Sequence, residues 1–155
     1  MGVELGVKEC FMKNKILLVL GIVLLCIMFC ACTKKYEIGD TGPGGGIVFQ
    51  ISEDGTNGYE VSEVLGEESW KNAKEICEKY DGGGYSDWFL PTSEALRLVY
   101  QNLVRSRRIS DTTLHWTANN RFDRPYMIMC LDFSNGEMYS YNEEFPKSVR
   151  AIRAF

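Results

Sequence analysis

The chain is poor in histidine, and few of its cysteines lie outside its N-terminal segment. Among 155 residues there is one histidine, His115, and only Cys77 and Cys130 lie beyond residue 32. A zinc site takes three or four His, Cys or acidic ligands, and nucleophilic catalysis needs a nucleophile beside its base. His115 is instead expected to lie partly buried or at the surface of a strand. The sequence therefore predicts no metal site, no cofactor and no enzyme activity.

Long runs of basic residues are also absent. From Cys32 onward the chain has 14 basic and 19 acidic side chains, and no basic run is longer than Arg107-Arg108. Nucleic-acid-binding domains concentrate positive charge because they neutralise phosphates. The mildly acidic composition excludes nucleic acid as an expected partner.

The long apolar run of the sequence lies near its N-terminus. Two lysines precede residues 16–29, and the run ends at Cys30-Ala31-Cys32. A basic region, an apolar region and small residues at a cleavage site are typical of a bacterial secretion signal. The run is short for a membrane-spanning helix, which is the alternative interpretation. We interpret residues 1–32 as a signal peptide, whose true start is either Met1 or Met12.

The end of this segment predicts a lipid anchor. Ala31-Cys32 places a small residue before a cysteine, as in lipoprotein signals, where the thiol is diacylated before cleavage. Lipidation at Cys32 would hold the protein in the bacterial cell envelope, at the outer membrane or cell surface rather than the inner membrane. Residues 33–37 would form a tether and 38–155 a single domain. Cys77 and Cys130 remain, either as a disulfide or as two buried free thiols.

The stretch IGDTGPGGGIVF, residues 38–49, is rich in glycine and contains one proline. A nucleotide-binding P-loop requires Lys-Ser/Thr after its last glycine, which this stretch lacks. A collagen helix requires glycine at every third position over many triplets, and only three occur here. Glycine accepts backbone conformations that other residues avoid. The stretch therefore predicts a tight turn that leads into a strand.

The hydrophobic patterns predict an α+β fold with a mainly antiparallel sheet and two helices. Helices are expected after the N-cap residues Ser69 and Thr92, the first ending at residues 81–84. Asn135-Gly136 is a strong hairpin signal. Strands are expected at residues 46–51, 59–64, 114–118, 126–133, 137–141 and 148–155.

Several motifs in series resemble one bacterial domain family. They are IGDTGPGGGIVF, then Trp70, Ala73 and Cys77, then GGYSDWFLPTSEAL, LDFSNGEM and the final VRAIRAF. This series resembles the globular C-terminal domain of Lcl-type collagen-like adhesins, found also in small bacterial lipoproteins and largely of unknown function. The resemblance covers residues 38–155 and implies a C-type-lectin-like fold. The chain departs from the family at Phe89, where arginine is usual, and at His115-Trp116-Thr117-Ala118.

The same resemblance suggests where a ligand would bind. In lectin-like folds the loops of the second half form the exposed face, which here would comprise residues 116–124 and 134–141. Aromatic rings and amides suit contact with a carbohydrate or a protein, although an ordinary polar hairpin explains the pattern about equally well. The Glu-Pro-Asn, Gln-Pro-Asp and Trp-Asn-Asp calcium motifs of true C-type lectins are absent. The predicted ligand-binding residues are Trp116, Asn119, Asn120, Arg121, Phe122, Tyr126, Asn135, Tyr139 and Tyr141.

Other motif residues are expected to be structural. Residues 87–91 would bury a tryptophan and a leucine and end a strand at Pro91. One or both of Arg150 and Arg153 are expected to pair with acidic residues such as Asp40 or Asp87, which would fix the last strand against the first turn.

The sequence thus favours a lipid-anchored envelope protein with a non-catalytic ligand-binding or adhesion domain. Its partners would be the membrane and a carbohydrate or protein ligand. The first alternative is a structural envelope lipoprotein that packs against another protein. An enzyme of unknown type is the least favoured interpretation.

Overall fold

The computed structural model describes residues 34–155. This part of the chain contains two α-helices, and its eight strands form two sheets. The predicted signal peptide, including Cys32, lies outside the described residues. Residues Lys35–Phe155 form one compact unit. The α+β class predicted from the sequence is confirmed, with all strand pairs antiparallel except one.

Both predicted helices form where their N-cap residues indicated. Helix α1 spans Trp70–Lys79 with Ser69 at its N-cap, and α2 spans Ser93–Val99. The hydroxyl of Thr92 accepts a hydrogen bond from Ala95 N at 3.2 Å, which satisfies one of the free amides of the first turn. One turn of π-helix, Tyr100–Val104, extends α2 towards an exposed segment.

The first sheet joins the two ends of the domain. Its strand order is β1 (Ile47–Ile51), β2 (Gly58–Val61) and β8 (Ile152–Ala154). The sequence predicted one closing strand over residues 148–155. That prediction is wrong, because the segment bends at Arg150 and supplies two short strands to different sheets.

The second sheet has the strand order β3-β7-β4-β5-β6. Successive side chains of a strand point to opposite faces of the sheet. In β5, Cys130 therefore packs in the core on the α1 side, whereas Leu131 packs in the core on the α2 side. Both faces are therefore covered by buried side chains. The strands are β3 (Gly66–Glu68), β4 (Leu114–Arg121), β5 (Arg124–Asp132), β6 (Met138–Asn142) and β7 (Lys147–Val149).

The glycine-rich turn wraps around a buried carboxylate. Glu60 is fully buried, and its two oxygens accept hydrogen bonds from Gly44 N at 2.8 Å and Gly46 N at 2.9 Å. A Cβ on Gly44 would lie 2.7 Å from Glu60 Oε1 and 2.8 Å from a ring carbon of Trp88. The turn predicted from this stretch is confirmed, and its glycines leave room for the carboxylate.

Arg153 connects this turn to the Asp87-Trp88 motif. Its guanidinium donates to Glu60 Oε1 at 2.8 Å and to Asp87 Oδ1 at 2.7 Å, and it lies 3.8 Å from the ring centroid of Tyr85. The hydrogen bond from Arg153 lowers the pKa of Asp87. The predicted pairing of Arg153 with Asp87 is confirmed. The glycine turn is thus linked to Asp87 through Glu60 and Arg153.

The two cysteines of the domain remain separate thiols. Cys77 and Cys130 are both fully buried and unbridged, and they pack in the same core beside α1. Burial raises the pKa of each thiol to about 12, so each stays protonated at neutral pH. Of the two arrangements that the sequence left open, the structure has the buried free thiols and not the disulfide.

Candidate ligand-binding site

The residues predicted to form a loop at 116–124 instead form a β-hairpin. Strand β4 continues to Arg121, β5 begins at Arg124, and only Phe122 and Asp123 form the turn. The prediction that Trp116 lies on an exposed face is wrong. Its side chain is 0% exposed, and its indole Nε1 donates to Glu68 O at 2.7 Å. The strand directs Trp116 into the core beside α1.

The second predicted loop lies at the other end of β5. Asn135 follows the last residue of β5, whereas Phe122 precedes its first, and a strand of this length spans roughly 30 Å. Asn135 Nδ2 donates to the hydroxyl of Tyr139 at 3.3 Å. The predicted residues therefore do not form one surface, since Asn135 and Tyr139 lie away from the hairpin turn.

The hairpin turn itself exposes aromatic rings. Phe122 is fully exposed and Tyr126 is 57% exposed. Asp123 accepts a hydrogen bond from Arg121 Nε at 2.8 Å, and this bond lowers the pKa of the carboxyl group. Asn120 is exposed, whereas Asn119 uses its side-chain oxygen to accept from Ser93 N at 2.7 Å. Asn119 thus positions the start of α2.

Phe145, which sequence reasoning missed, lies beside this hairpin. Glu143 N donates to Tyr126 O at 3.2 Å and holds the turn after β6 against the start of β5. Phe145 in that turn is 61% exposed. The ammonium of Lys147 lies 4.6 Å from the ring centroid of Tyr141 in the same region. In the sequence, only the proline that follows Phe145, between two strands, indicates that this ring lies in a turn.

A cleft of about 470 Å³ opens between the start of α1 and this turn. Trp70 fixes it in place, since its Nε1 donates to Thr117 O at 2.8 Å and its backbone N donates to Glu143 O at 2.9 Å. The ammonium of Lys74 lies 3.4 Å from the Trp70 ring centroid. The lining residues are Ser69, Trp70, Lys71, Asn72, Lys74, Glu143 and Glu144.

The lysines and glutamates that line this cleft do not pair with each other. Within the described part of the chain, neither of its lysines forms an ion pair with Glu143 or Glu144. The ammonium and carboxylate groups of the cleft therefore remain available to a polar ligand. We call the cleft together with Phe122, Tyr126 and Phe145 the tip surface.

A second groove, of about 310 Å³, lies between β1 and α2. Phe49, Tyr59, Phe89 and Leu98 line it, with Glu94 as its charged group. It offers fewer polar groups than the tip surface and lacks the adjoining exposed hairpin.

His115 lies in a buried network and not at the tip surface. Its side chain is 0% exposed, and its Nε2 lies 2.8 Å from Asp111 Oδ2, which also accepts from Arg150 Nη2 at 2.8 Å. Burial lowers the pKa of His115 despite the neighbouring carboxylate. Burial also opposes ionisation of Asp111, but hydrogen bonds from His115 and Arg150 outweigh it and lower that pKa. Arg150 thus pairs with an acidic residue, as the sequence predicted, but that residue is Asp111 and not Asp40 or Asp87.

This network predicts a pH dependence of stability. The pKa of His115 is lowered in the folded state from its ordinary value of 6.5, so the unfolded chain binds more protons once the pH falls below that value. The stabilisation is complete above pH 6.5 and is lost as the pH falls towards the folded pKa, by up to about 1.4 kcal/mol per pH unit. Urea unfolding between about pH 7.5 and 5 should show this slope.

Since His115 is the one histidine of the chain, a matched variant isolates its effect. His115→Gln keeps an N–H donor for Asp111 and does not titrate. Its free energy of unfolding should change little over the same pH range. An equal slope in both proteins would show that another group is responsible.

Residues 34–155 contain no cluster of three His, Cys, Asp or Glu side chains able to hold a metal ion. None of their helices has the length and hydropathy to cross a bilayer. No protein-family model matches the chain, and no curated protein does either.

Proposed function

We propose that the protein is a lipid-anchored component of the bacterial cell envelope whose domain binds a carbohydrate or protein ligand without catalysis. The tip surface supports this proposal most directly. It combines three exposed aromatic rings with a cleft whose lysines and glutamates form no ion pair with each other. Aromatic rings stack on the apolar faces of sugars, while amides and carboxylates bind hydroxyl groups.

The fold supports the finer assignment to a C-type-lectin-like domain. The first hairpin pairs with the last strand, two helices follow the hairpin, and a second sheet provides the exposed tip. The convergence of the glycine turn, Asp87 and Arg153 gives the family motifs a shared structural role. This supports membership of the family that the Lcl-type adhesin domain represents.

Burial of His115 supports a non-catalytic function. Nε2 of His115 is occupied by Asp111, and the ring packs 4.2 Å from the centroid of Phe133. A general base must reach the proton that it abstracts. The location at the outer membrane or cell surface rests on the leader sequence and its cysteine.

The binding function is tested by removing the exposed rings. The lipidated protein in detergent would be screened on a glycan array and against envelope proteins, and each ligand found would be titrated. Phe122→Ala, Tyr126→Ala and Phe145→Ala should each raise Kd at least about tenfold, because buried aromatic anchors dominate binding energy. Circular dichroism should remain unchanged, since all three rings are exposed.

Phe89→Ala is the matched control, because Phe89 is 41% exposed but lies at the second groove. It should leave Kd unchanged. A ligand that binds all four variants equally would exclude the tip surface. Failure of every glycan, together with capture of one envelope protein by all four variants equally, would favour the structural alternative.

A further inference from the structure

Three exposed arginines gather where the π-helical turn ends. Arg105, Arg107 and Arg108 are all exposed, and none forms an ion pair with another residue of the described range 34–155. We call them the basic corner. They stand out in a chain whose charge from Cys32 onward is dominated by acidic residues. Unpaired arginines at one place attract an anionic partner.

The backbone of the basic corner has an unusual conformation. Arg107 has a φ of 60°, and it is the one non-glycine residue in residues 34–155 with a positive φ. Glycine or asparagine would adopt this conformation at a lower cost. Arg107 therefore places a positive charge at a position where the backbone conformation favours glycine or asparagine.

The basic corner lies beside the point at which the tether joins the domain. A Cβ on Gly39 would lie 2.6 Å from Cδ and Cζ of Arg108, so this side chain covers the start of the glycine turn. Cys32 precedes Gly39 by seven residues, which span at most about 25 Å when fully extended. A lipid on Cys32 would therefore hold the basic corner close to the bilayer. Glu37 and Asp40 flank the same turn, but neither pairs with these arginines in the described range.

The hairpin that carries Phe122 and Tyr126 contacts the opposite end of the same helix. Asn119 contacts Ser93 at the start of α2, whereas the basic corner follows Val104 at the end of the π-helical turn. The twelve residues between these points span roughly 18 Å at the helical rise. α2 and its extension therefore separate the hairpin side of the domain from its basic end.

We infer that the basic corner binds anionic lipid headgroups of the bilayer that holds the anchor. Arginines within a Debye length of an anionic bilayer are attracted to it, and added salt weakens this attraction. The contact orients the domain so that the tip surface points away from the membrane. This inference rests on the lipid anchor of the proposed function, and it adds to that function a specific membrane-facing surface.

Arginine modification on vesicles tests the orientation. The lipidated protein would be reconstituted into vesicles of phosphatidylcholine alone, or with about one third phosphatidylglycerol, and treated with phenylglyoxal. Mass spectrometry would then measure modification of each arginine. Arg105, Arg107 and Arg108 should react about fivefold more slowly on the anionic vesicles at low salt, and protection should disappear in about 0.5 M NaCl. Arg121 at the hairpin should react equally on both.

Two charge-matched variants distinguish local contact from net charge. Arg105→Gln/Arg107→Asn should reduce the protection of Arg108, and asparagine tolerates the positive φ at position 107. Arg121→Gln/Arg124→Gln removes as much charge from the hairpin and should leave the protection of Arg108 intact.

The outcomes separate this inference from the anchor. A protein that does not float with phosphatidylcholine vesicles lacks the anchor, and both proposals fail. A protein that floats but shows equal modification on both vesicles retains the anchor and overturns the membrane-facing surface. Protection by soluble heparin alone, without protection by anionic vesicles, also overturns it and indicates a soluble polyanion as the partner.

Discussion

Arg153→Met is expected to lower the free energy of unfolding by about 3–5 kcal/mol, because it leaves the buried carboxylate of Glu60 without a cation. The side chain of Arg153 is 5% exposed and that of Glu60 is 0% exposed. The two glycine amides that remain bonded to Glu60 do not neutralise its charge. Urea unfolding followed by circular dichroism measures the loss, which is a large part of the roughly 5–15 kcal/mol of a typical domain.

Arg121→Met provides the matched control for this result. Arg121 also binds a carboxylate at 2.8 Å, but its side chain and that of Asp123 are about half exposed. Exposed ion pairs contribute about 0–1 kcal/mol. If Arg153→Met cost no more than Arg121→Met, the buried pair would not stabilise the fold as described. Adding Glu60→Gln to Arg153→Met should recover part of the loss, since it removes the buried charge.

Cys32→Ala is expected to abolish the lipid anchor entirely. Lipid attachment requires the thiol of Cys32, so no partial effect is expected if this residue is the acceptor. The protein expressed with its own leader should show a diacyl mass increment on a chain that begins at Cys32. The variant should show neither that increment nor membrane partitioning of a processed chain.

Cys30→Ala is the matched control, because it removes a thiol two residues earlier in the same segment. It should retain the mass increment and the partitioning. Lipid on the Cys32→Ala chain, or an unlipidated chain with Cys32 present, would remove the lipoprotein assignment. The envelope location would then lose its main support.

Local chemistry made much of the fold predictable. Ser69 and Thr92 marked both helix starts because side-chain oxygens favour N-cap positions. The glycine turn was also predictable from backbone freedom alone. Its buried partner was not, because nothing in the local sequence around Glu60 shows that amides fourteen and sixteen residues earlier will bind that carboxylate.

The candidate site was predictable only in part. Phe122 and Tyr126 were identified by residue type, and both are exposed on the hairpin. Trp116 lay within the predicted strand at residues 114–118, but it was misplaced because both faces of β4 are covered, so that consecutive residues of the strand are buried. The cleft could not be predicted, since α1 and the turn after β6 are more than sixty residues apart in the chain.

The position of β8 in the first sheet also governs when the domain can fold. Strand β2 finds its second partner only in β8, and the ion pair between Glu60 and Arg153 joins residues 93 positions apart. Such long-range pairing delays folding until the distant segment is present. A growing chain that has not yet reached Arg153 has neither the third strand nor the cation for its buried carboxylate. The core of the domain can therefore close only after the segment that contains Arg153 is available to it.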